Sequence, residues 1–137
     1  VNLDPSAFVA DSELIGALQG FAVPVACDQD RMLFKQGDMP AGLYILHGGG
    51  ATLTMTSPMG GVVIGTSAQP GSLLGLPALI GKLPYTLSAK ALKGSEVSFV
   101  TREDFSQLML TQPSLSLMVL RVLAAEVRSA RNAISGL

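Results

Sequence analysis

The sequence predicts a mainly β domain flanked by helices, an α+β arrangement, and two observations carry that reading. Between Phe21 and Val100, short apolar runs alternate with turn residues, the texture of antiparallel strands in a sandwich or barrel. Helical periodicity is confined to the two ends and to one internal segment. The 137 residues suit one domain, divided into N-terminal helices over 1–20, a β body over 21–100 and closing helices over 101–137. A hydrophobic content of 48% against 14% charged residues calls for a packed core and excludes a disordered tail.

At the N-terminus Ser6 precedes Ala7, Phe8 and Val9. Asp11 or Ser12 then caps a helical segment in which Leu14, Ile15 and Leu18 recur at helical spacing before Gly20. Strands are predicted at Phe21 to Ala26, Arg31 to Lys35, Gly42 to His47, Ala51 to Thr56, Val62 to Ser67, Tyr85 to Leu92 and Ser95 to Val100. Gln36-Gly37-Asp38 and Ser57-Pro58-Met59-Gly60-Gly61 supply the proline and positive-φ positions that tight turns need. One stretch departs from the β texture: Leu73, Leu74, Leu76, Leu79 and Ile80, with Pro77 among them, suit a helix of one or two turns better than a strand. Thr101, with Asp104 three residues on, opens a short helix that carries Phe105, Leu108 and Met109 and stops before Pro113. Ser114 caps the last and longest helix, and Gly136 marks its stop before Leu137.

That last helix has two apolar faces. Leu120, Leu123, Val127, Ala130 and Ile134 follow in steps of three and four, a coiled-coil seam with Glu126 at a g position and Arg131 at the following e. Leu115, Met118, Val119 and Val122 form a second stripe. The β body covers one stripe and a second copy of the chain covers the other, with g and e charges pairing across a parallel two-stranded coil. The expectation is a parallel homodimer through the seam. The alternative has the N-terminal helices covering the remaining stripe within one subunit.

Composition narrows the function classes. A net charge of −1, without clustered Lys and Arg, gives too little positive field to hold a nucleic-acid backbone, so no direct nucleic-acid binding is expected. From Ala41 through Gly81 there is no Asp, Glu, Lys or Arg, yet Gly, Pro, Ser and Thr break the stretch into runs short of the ~20 residues that span a bilayer. No membrane partner is expected. Asp4, Asp11 and Glu13 stand where a signal peptide needs a basic start and an apolar core. The single Cys27 excludes an intrachain disulfide framework and a multi-cysteine zinc site, which suits a reducing cytoplasm. Beside Asp28 and without a basic neighbour in sequence, it reads as an inert thiol. His47, the only histidine, has no nearby Cys or carboxylate and reads as a strand-end residue bonded to a loop rather than a metal ligand. Gly48-Gly49-Gly50 lacks the helix and Lys of a phosphate loop and reads as a bulged strand connection. The serines have no histidine partner in a recognisable arrangement, and nothing argues for an enzyme.

Leu33-Phe34-Lys35-Gln36-Gly37-Asp38, followed by Gly42-Leu43-Tyr44-Ile45-Leu46, resembles the strand, glycine turn and strand of the cyclic-nucleotide-binding domains shared by catabolite-activator-type regulators, kinase regulatory subunits and gated channels. Pro70-Gly71-Ser72-Leu73-Leu74-Gly75, running into Leu76-Pro77-Ala78-Leu79-Ile80, resembles the start of that family's phosphate-binding cassette. The resemblance covers essentially the whole chain. It implies a double-stranded β-helix, or jelly-roll β-roll, with N-terminal helices, a short cassette helix, a C-terminal hinge helix and a long dimerisation helix.

In the family, the cassette helix offers its first backbone N–H groups to the cyclic phosphate, an Arg reinforces that contact and a Glu accepts from the ribose hydroxyl. Carried across by position, the Glu falls on Leu76 and the Arg on Tyr85, so both charged anchors are missing. Gly75, Ala78, Leu79 and Ser88 match, Ser88 at the place of a small hydroxyl donor, and Lys82 lies inside the cassette as a partial substitute for the Arg. With Tyr85 and Thr86 these residues make up the candidate pocket. A charge-assisted hydrogen bond contributes ~1.5–3 kcal/mol, so loss of the Arg costs about ten- to a hundredfold in affinity. Ribose hydroxyls left without their acceptor cost roughly 1–3 kcal/mol more.

The resulting expectation is a non-catalytic regulatory or sensory module without a cofactor. It would read a less anionic small molecule or a protein partner, and signal through a hinge over Thr101 to Pro113. One alternative is a true cyclic-nucleotide receptor that works through Ser88, Lys82 and the cassette amides. Another is the sensor half of a transcription regulator without its DNA-binding part. The helix stop at Gly136 favours a stand-alone module.

Overall fold

The computed structural model describes residues 2–136. Leu137, expected just past the helix stop, lies outside the described residues, as does Val1. A 3-10 turn at Pro5–Phe8 and helix α1 (Ser12–Gln19) lead into strands β1 (Val23–Val25), β2 (Arg31–Phe34), β3 (Gly42–Gly48), β4 (Ala51–Thr56), β5 (Val62–Ala68) and β6 (Ser72–Leu74). Helix α2 (Leu76–Gly81) precedes β7 (Ser88–Ala91) and β8 (Glu96–Thr101), and helices α3 (Arg102–Thr111) and α4 (Ser114–Ser135) follow.

The strands form two antiparallel sheets, ordered β1-β8-β3-β6 and β2-β7-β4-β5. One core lies between them, built from Phe34, Leu46, Leu53, Leu74, Ala89 and Val97 among others. A second core lies on the outer face of the first sheet, where Leu43, Ile45, Leu73 and Val100 meet Leu14 and Leu18 of α1, Leu76 and Leu79 of α2, Phe105 and Leu108 of α3, and Leu115, Val119 and Val122 of α4. Strands β3 and β6 are therefore apolar on both faces. This is why Leu43 to Leu46 is a continuous hydrophobic run instead of an alternating one.

The same double burial explains the one element that sequence periodicity misassigns. Leu73 and Leu74 were expected in the internal helix, but Ser72–Leu74 pairs antiparallel with β3, Tyr44 opposite Leu74 and Leu46 opposite Ser72. Gly75, at φ 93°, turns the chain out of the strand, and the helix begins only at Leu76. A strand buried on both faces has no alternation to distinguish it from a helix.

Other boundaries have local causes. Strand β7 starts at Ser88 rather than Tyr85, because the Tyr85 backbone bonds to a turn: Gly37 N–H donates to the Tyr85 carbonyl (2.8 Å) and Tyr85 N–H to the Asp38 carbonyl (2.9 Å). The first strand is shorter than Phe21 to Ala26. Thr101 caps α3 as the sequence predicts, its hydroxyl accepting from Asp104 N–H at 3.1 Å. Ser114 does not cap α4; Pro113 holds the N-cap position and Ser114 is the first helical residue. His47 bonds not to a loop but to Ser98 of the adjacent strand β8, Nε2 to Oγ at 2.7 Å. The glycine run does bulge the end of β3, where the register with β8 slips between Leu46 and Gly48.

Candidate functional site

Three elements converge on one cavity. Strand β6 delivers the chain to Gly75, whose left-handed backbone (φ 93°) starts α2. A Cβ at residue 75 would lie 2.9 Å from Tyr85 Cε1 and 3.5 Å from Phe34 Cε2, so this position needs glycine for both conformation and close approach. The segment after α2 returns through Pro84 and lays Tyr85 flat on Phe34, ring centroids 3.9 Å apart and planes 16° from parallel. Tyr85 is only 6% exposed and its hydroxyl donates to the Gly42 carbonyl at 3.2 Å. Tyr44 extends the aromatic group, 6.0 Å from Phe34 and 4.9 Å from Phe99. Burial pushes the Tyr85 hydroxyl up to about 12, helped by the neighbouring Tyr44, so it remains a neutral donor.

The cavity beside this stack has a volume of about 40 Å³. Phe8, Phe34, Leu53, Leu74 and Leu87 wall it, with Gly75, Pro77 and Ala78 of the α2 turn, Tyr85 and Thr86. Glu126 of α4 closes it. A water needs roughly 10–15 Å³, so the space suits a few waters and is far smaller than a nucleotide.

Of the residues expected in the pocket, Gly75, Ala78, Tyr85 and Thr86 line this cavity. The structure does not bring the others to it. Leu76, fully buried, and Leu79 both point into the helix-side core. Lys82 caps α2 in a left-handed conformation (φ 55°) and lies in an outer groove with Ile80, Arg102 and Met109. The Ser88 hydroxyl accepts from Gln36 N–H at 2.9 Å, bracing the turn after β2.

Glu126 is the largest correction. The heptad reading puts it on the flank of the seam, facing a partner's Arg131, but its carboxyl turns inward to the cavity. Its Oε2 is buried without a hydrogen-bond partner, and desolvation raises its pKa from 4.5 to about 8. A sequence signal was present. Glu126 lies four residues after Val122 and seven after Val119, on the helix face that also buries Leu115 and Ser129. The seam itself faces outward: Leu120, Val127 and Ile134 are 58%, 49% and 65% exposed, Leu123 and Ala130 are half-buried, and Arg131 is exposed.

Among the described residues, no group of three or more His, Cys, Asp and Glu could hold a metal ion, and no helix is long and apolar enough to cross a membrane. No curated protein sequence matches the chain significantly. Its fold is similar to that of Thermus thermophilus catabolite activator protein (TM-score 0.79, 23% identity), covering 96% of this chain and 62% of that one. The chain thus spans under two thirds of that protein's length. The N-terminal domain of a transcriptional regulator from Streptomyces coelicolor is also similar (TM-score 0.67, 24% identity, 96% of this chain and 92% of that one). So is the sensor domain of the transcriptional regulator DNR from Pseudomonas aeruginosa (TM-score 0.68, 17% identity, 89% and 82%). These likenesses establish the fold. Residues 24–112 match the cyclic nucleotide-binding domain model, which takes in the aromatic stack, the Gly75 turn and the cassette helix, and the chain belongs to the cyclic nucleotide-binding domain family.

Proposed function

We propose that this chain is a non-catalytic sensory module that has diverged from cyclic-nucleotide binding, pairs with a second copy through the outer face of α4, and reads a small ligand of low negative charge. One observation carries this reading: among the described residues, the only formally charged side chain lining the cavity is an acid, Glu126, and no Lys or Arg lines it. A cyclic phosphate brought there would meet no cation in the cavity wall, and the desolvation of its charge would be poorly compensated. The two positions that resemblance assigns to Glu and Arg support the same reading. Leu76 is spent on the helix-side core and Tyr85 is locked in its stack and its bond to Gly42. The signal would pass through α3 and α4, since α4 contributes a cavity wall at Glu126 and carries the outward seam one residue later at Val127. Two of the similar structures, the N-terminal domain of one transcriptional regulator and the sensor domain of another, support a role as the sensor part of a transcription regulator.

Calorimetric titration of ligand-free protein with cyclic AMP and cyclic GMP tests this reading. The expected result is no saturable heat for either nucleotide up to millimolar concentration. Saturable micromolar binding would overturn it and establish a cyclic-nucleotide receptor.

A further inference from the structure

Outside the cavity, the end of α2 faces one side of α3 across an open groove. Arg102, Phe105, Ser106, Met109 and Leu110 follow in steps of three, one, three and one, so they share a face that runs for about 12 Å along α3. Leu79 and Ile80 of α2, with Lys82 at its C-cap, form the opposite wall, and the groove has a volume of about 330 Å³. Small-molecule sites span ~300–1,000 Å³. Leu79 and Phe105 are buried, whereas Ile80 and Leu110 stand 42% and 78% exposed on the two walls. Facing aliphatics left in water favour something that covers them.

The charges of this groove have one sign. Among the described residues, no acid lines it, and neither Lys82 nor Arg102 makes an ion pair. Glu103 and Asp104 follow Arg102 in the chain but do not line the groove. Arg102 is anchored: its backbone N–H donates to the Ala41 carbonyl at 2.9 Å and its Nη2 to the Pro40 carbonyl, while its Nε is buried without an acceptor. It stands first in α3, where the helix dipole disfavours a cation. Lys82 is the only non-glycine at positive φ among the described residues, at a helix end that glycine usually occupies. Helix stability thus explains neither cation, and both border the same apolar groove.

We propose that this groove binds an unbranched alkyl carboxylate, a medium-chain fatty acid whose head meets Lys82 and Arg102 and whose chain lies against Ile80, Met109 and Leu110. Charge complementarity selects an anion, and a guanidinium with a donor unspent suits a carboxylate. The aliphatic walls, with Ser106 the one uncharged polar side chain on them, select a methylene chain over a hydroxylated or multiply charged body. A molecule seated there bridges α2 and α3. This is a second effector position, independent of what the cavity takes.

Decanoate, kept below its micelle-forming concentration, is the probe, titrated calorimetrically into the full chain beside hexanoate, octanoate and the cationic decyltrimethylammonium. The expected result is saturable decanoate binding that tightens by up to about fourfold for each methylene added along the series, and none for the cation. Lys82→Gly puts glycine where the backbone favours it, so the variant should unfold no sooner than wild type yet bind about threefold more weakly, a difference that high salt removes. Leu110→Asp changes an exposed residue and should weaken binding at least about tenfold, through lost apolar contact and a like charge. The Met109 methyl resonance should move on titration, while that of Met59, 94% exposed on the β4–β5 turn, stays in place. Absence of saturable binding, equal binding of the cation, an unmoved Met109 resonance, or an affinity unchanged in both variants overturns the inference. Binding to phosphatidylglycerol vesicles without binding of monomeric decanoate overturns it too, and would make the groove a membrane-docking surface. None of these outcomes bears on the cyclic-nucleotide titration, which tests a different space.

Discussion

Compared with its first half, the second half of α4 reverses the usual assignment of polar and apolar residues on a surface helix. Its inner face starts apolar, with Leu115, Val119 and Val122 in the helix-side core, but continues into Glu126 over the cavity and Ser129, whose hydroxyl accepts from Asp4 N–H at 2.8 Å. Its outer face carries Leu120, Val127 and Ile134, each about half exposed or more. An inward acid beside an outward row of aliphatics is unfavourable for an isolated subunit on both counts. The comparison teaches that stability alone does not explain this helix: the inner polar end answers to the cavity, and the outer apolar row is what the proposed pairing of two copies would cover.

The largest expected effects come from changing one leucine on each of the two faces. Leu115 is 1% exposed, so Leu115→Ala removes buried contacts and should destabilise the subunit by about 2–5 kcal/mol, seen as a lower denaturant midpoint. Leu120→Asp alters a residue that is 58% exposed, so subunit secondary structure should be unchanged by circular dichroism while sedimentation shows monomer in place of dimer. A monomeric wild type, or a Leu120→Asp variant that unfolds, would break the division of labour between the faces.

A smaller and more selective effect should follow from pH. The folded-state pKa of Glu126 is raised from 4.5 to about 8 by burial. Between those values the folded protein holds a proton that the unfolded chain has released. Stability from this group is thus highest below pH 4.5, declines as pH rises, and reaches its full penalty above about 8. The slope is at most about 1.4 kcal/mol per pH unit. Denaturant unfolding across pH 5–8, wild type against Glu126→Gln, isolates the term: the variant should lose this decline and be the more stable of the two at pH 8. Parallel pH profiles would show that Glu126 is solvated rather than held in the cavity.

How far the chain could be read without its structure follows the same inside-outside logic. Half-buried strands such as β4 announce themselves by alternation, Leu53 inward between two threonines. The caps and turns at Thr101, Gly37 and Gly60 are local chemistry and equally legible. Strand β6 is hidden, because burial on both faces erases its period. The cavity is hidden for a different reason: Phe8, Phe34, Leu53 and Leu74 come from separate elements, and apolar walls have no chemical signature until the sheets bring them together. A resemblance by cassette position found Gly75, Ala78, Tyr85 and Thr86 but placed Leu76, Leu79, Lys82 and Ser88 beside them, because adjacency in sequence does not say which face of a turn a side chain takes. Glu126 was a contest between two periods. A heptad places it on the seam flank, while the inward series of Leu115, Val119 and Val122 continues to it, and packing decided for the second.

The smallest effect is expected on the rim between the two faces, where Arg121 of α4 lies 3.5 Å from Asp11 at the start of α1. Both side chains are at least half exposed, 62% and 50%, so solvent screens the pair, and its contribution should fall in the ~0–1 kcal/mol range of surface ion pairs. Arg121→Ala should therefore shift the denaturant midpoint barely, lose even that shift in high salt, and leave both the dimer and the Glu126 pH profile unchanged. A drop as large as that of Leu115→Ala would mean that the tie to α1, rather than the inner apolar stripe, sets the position of α4 over the cavity. The helix would then be held at its rim, and a ligand at Glu126 would have to work against Asp11 to move it.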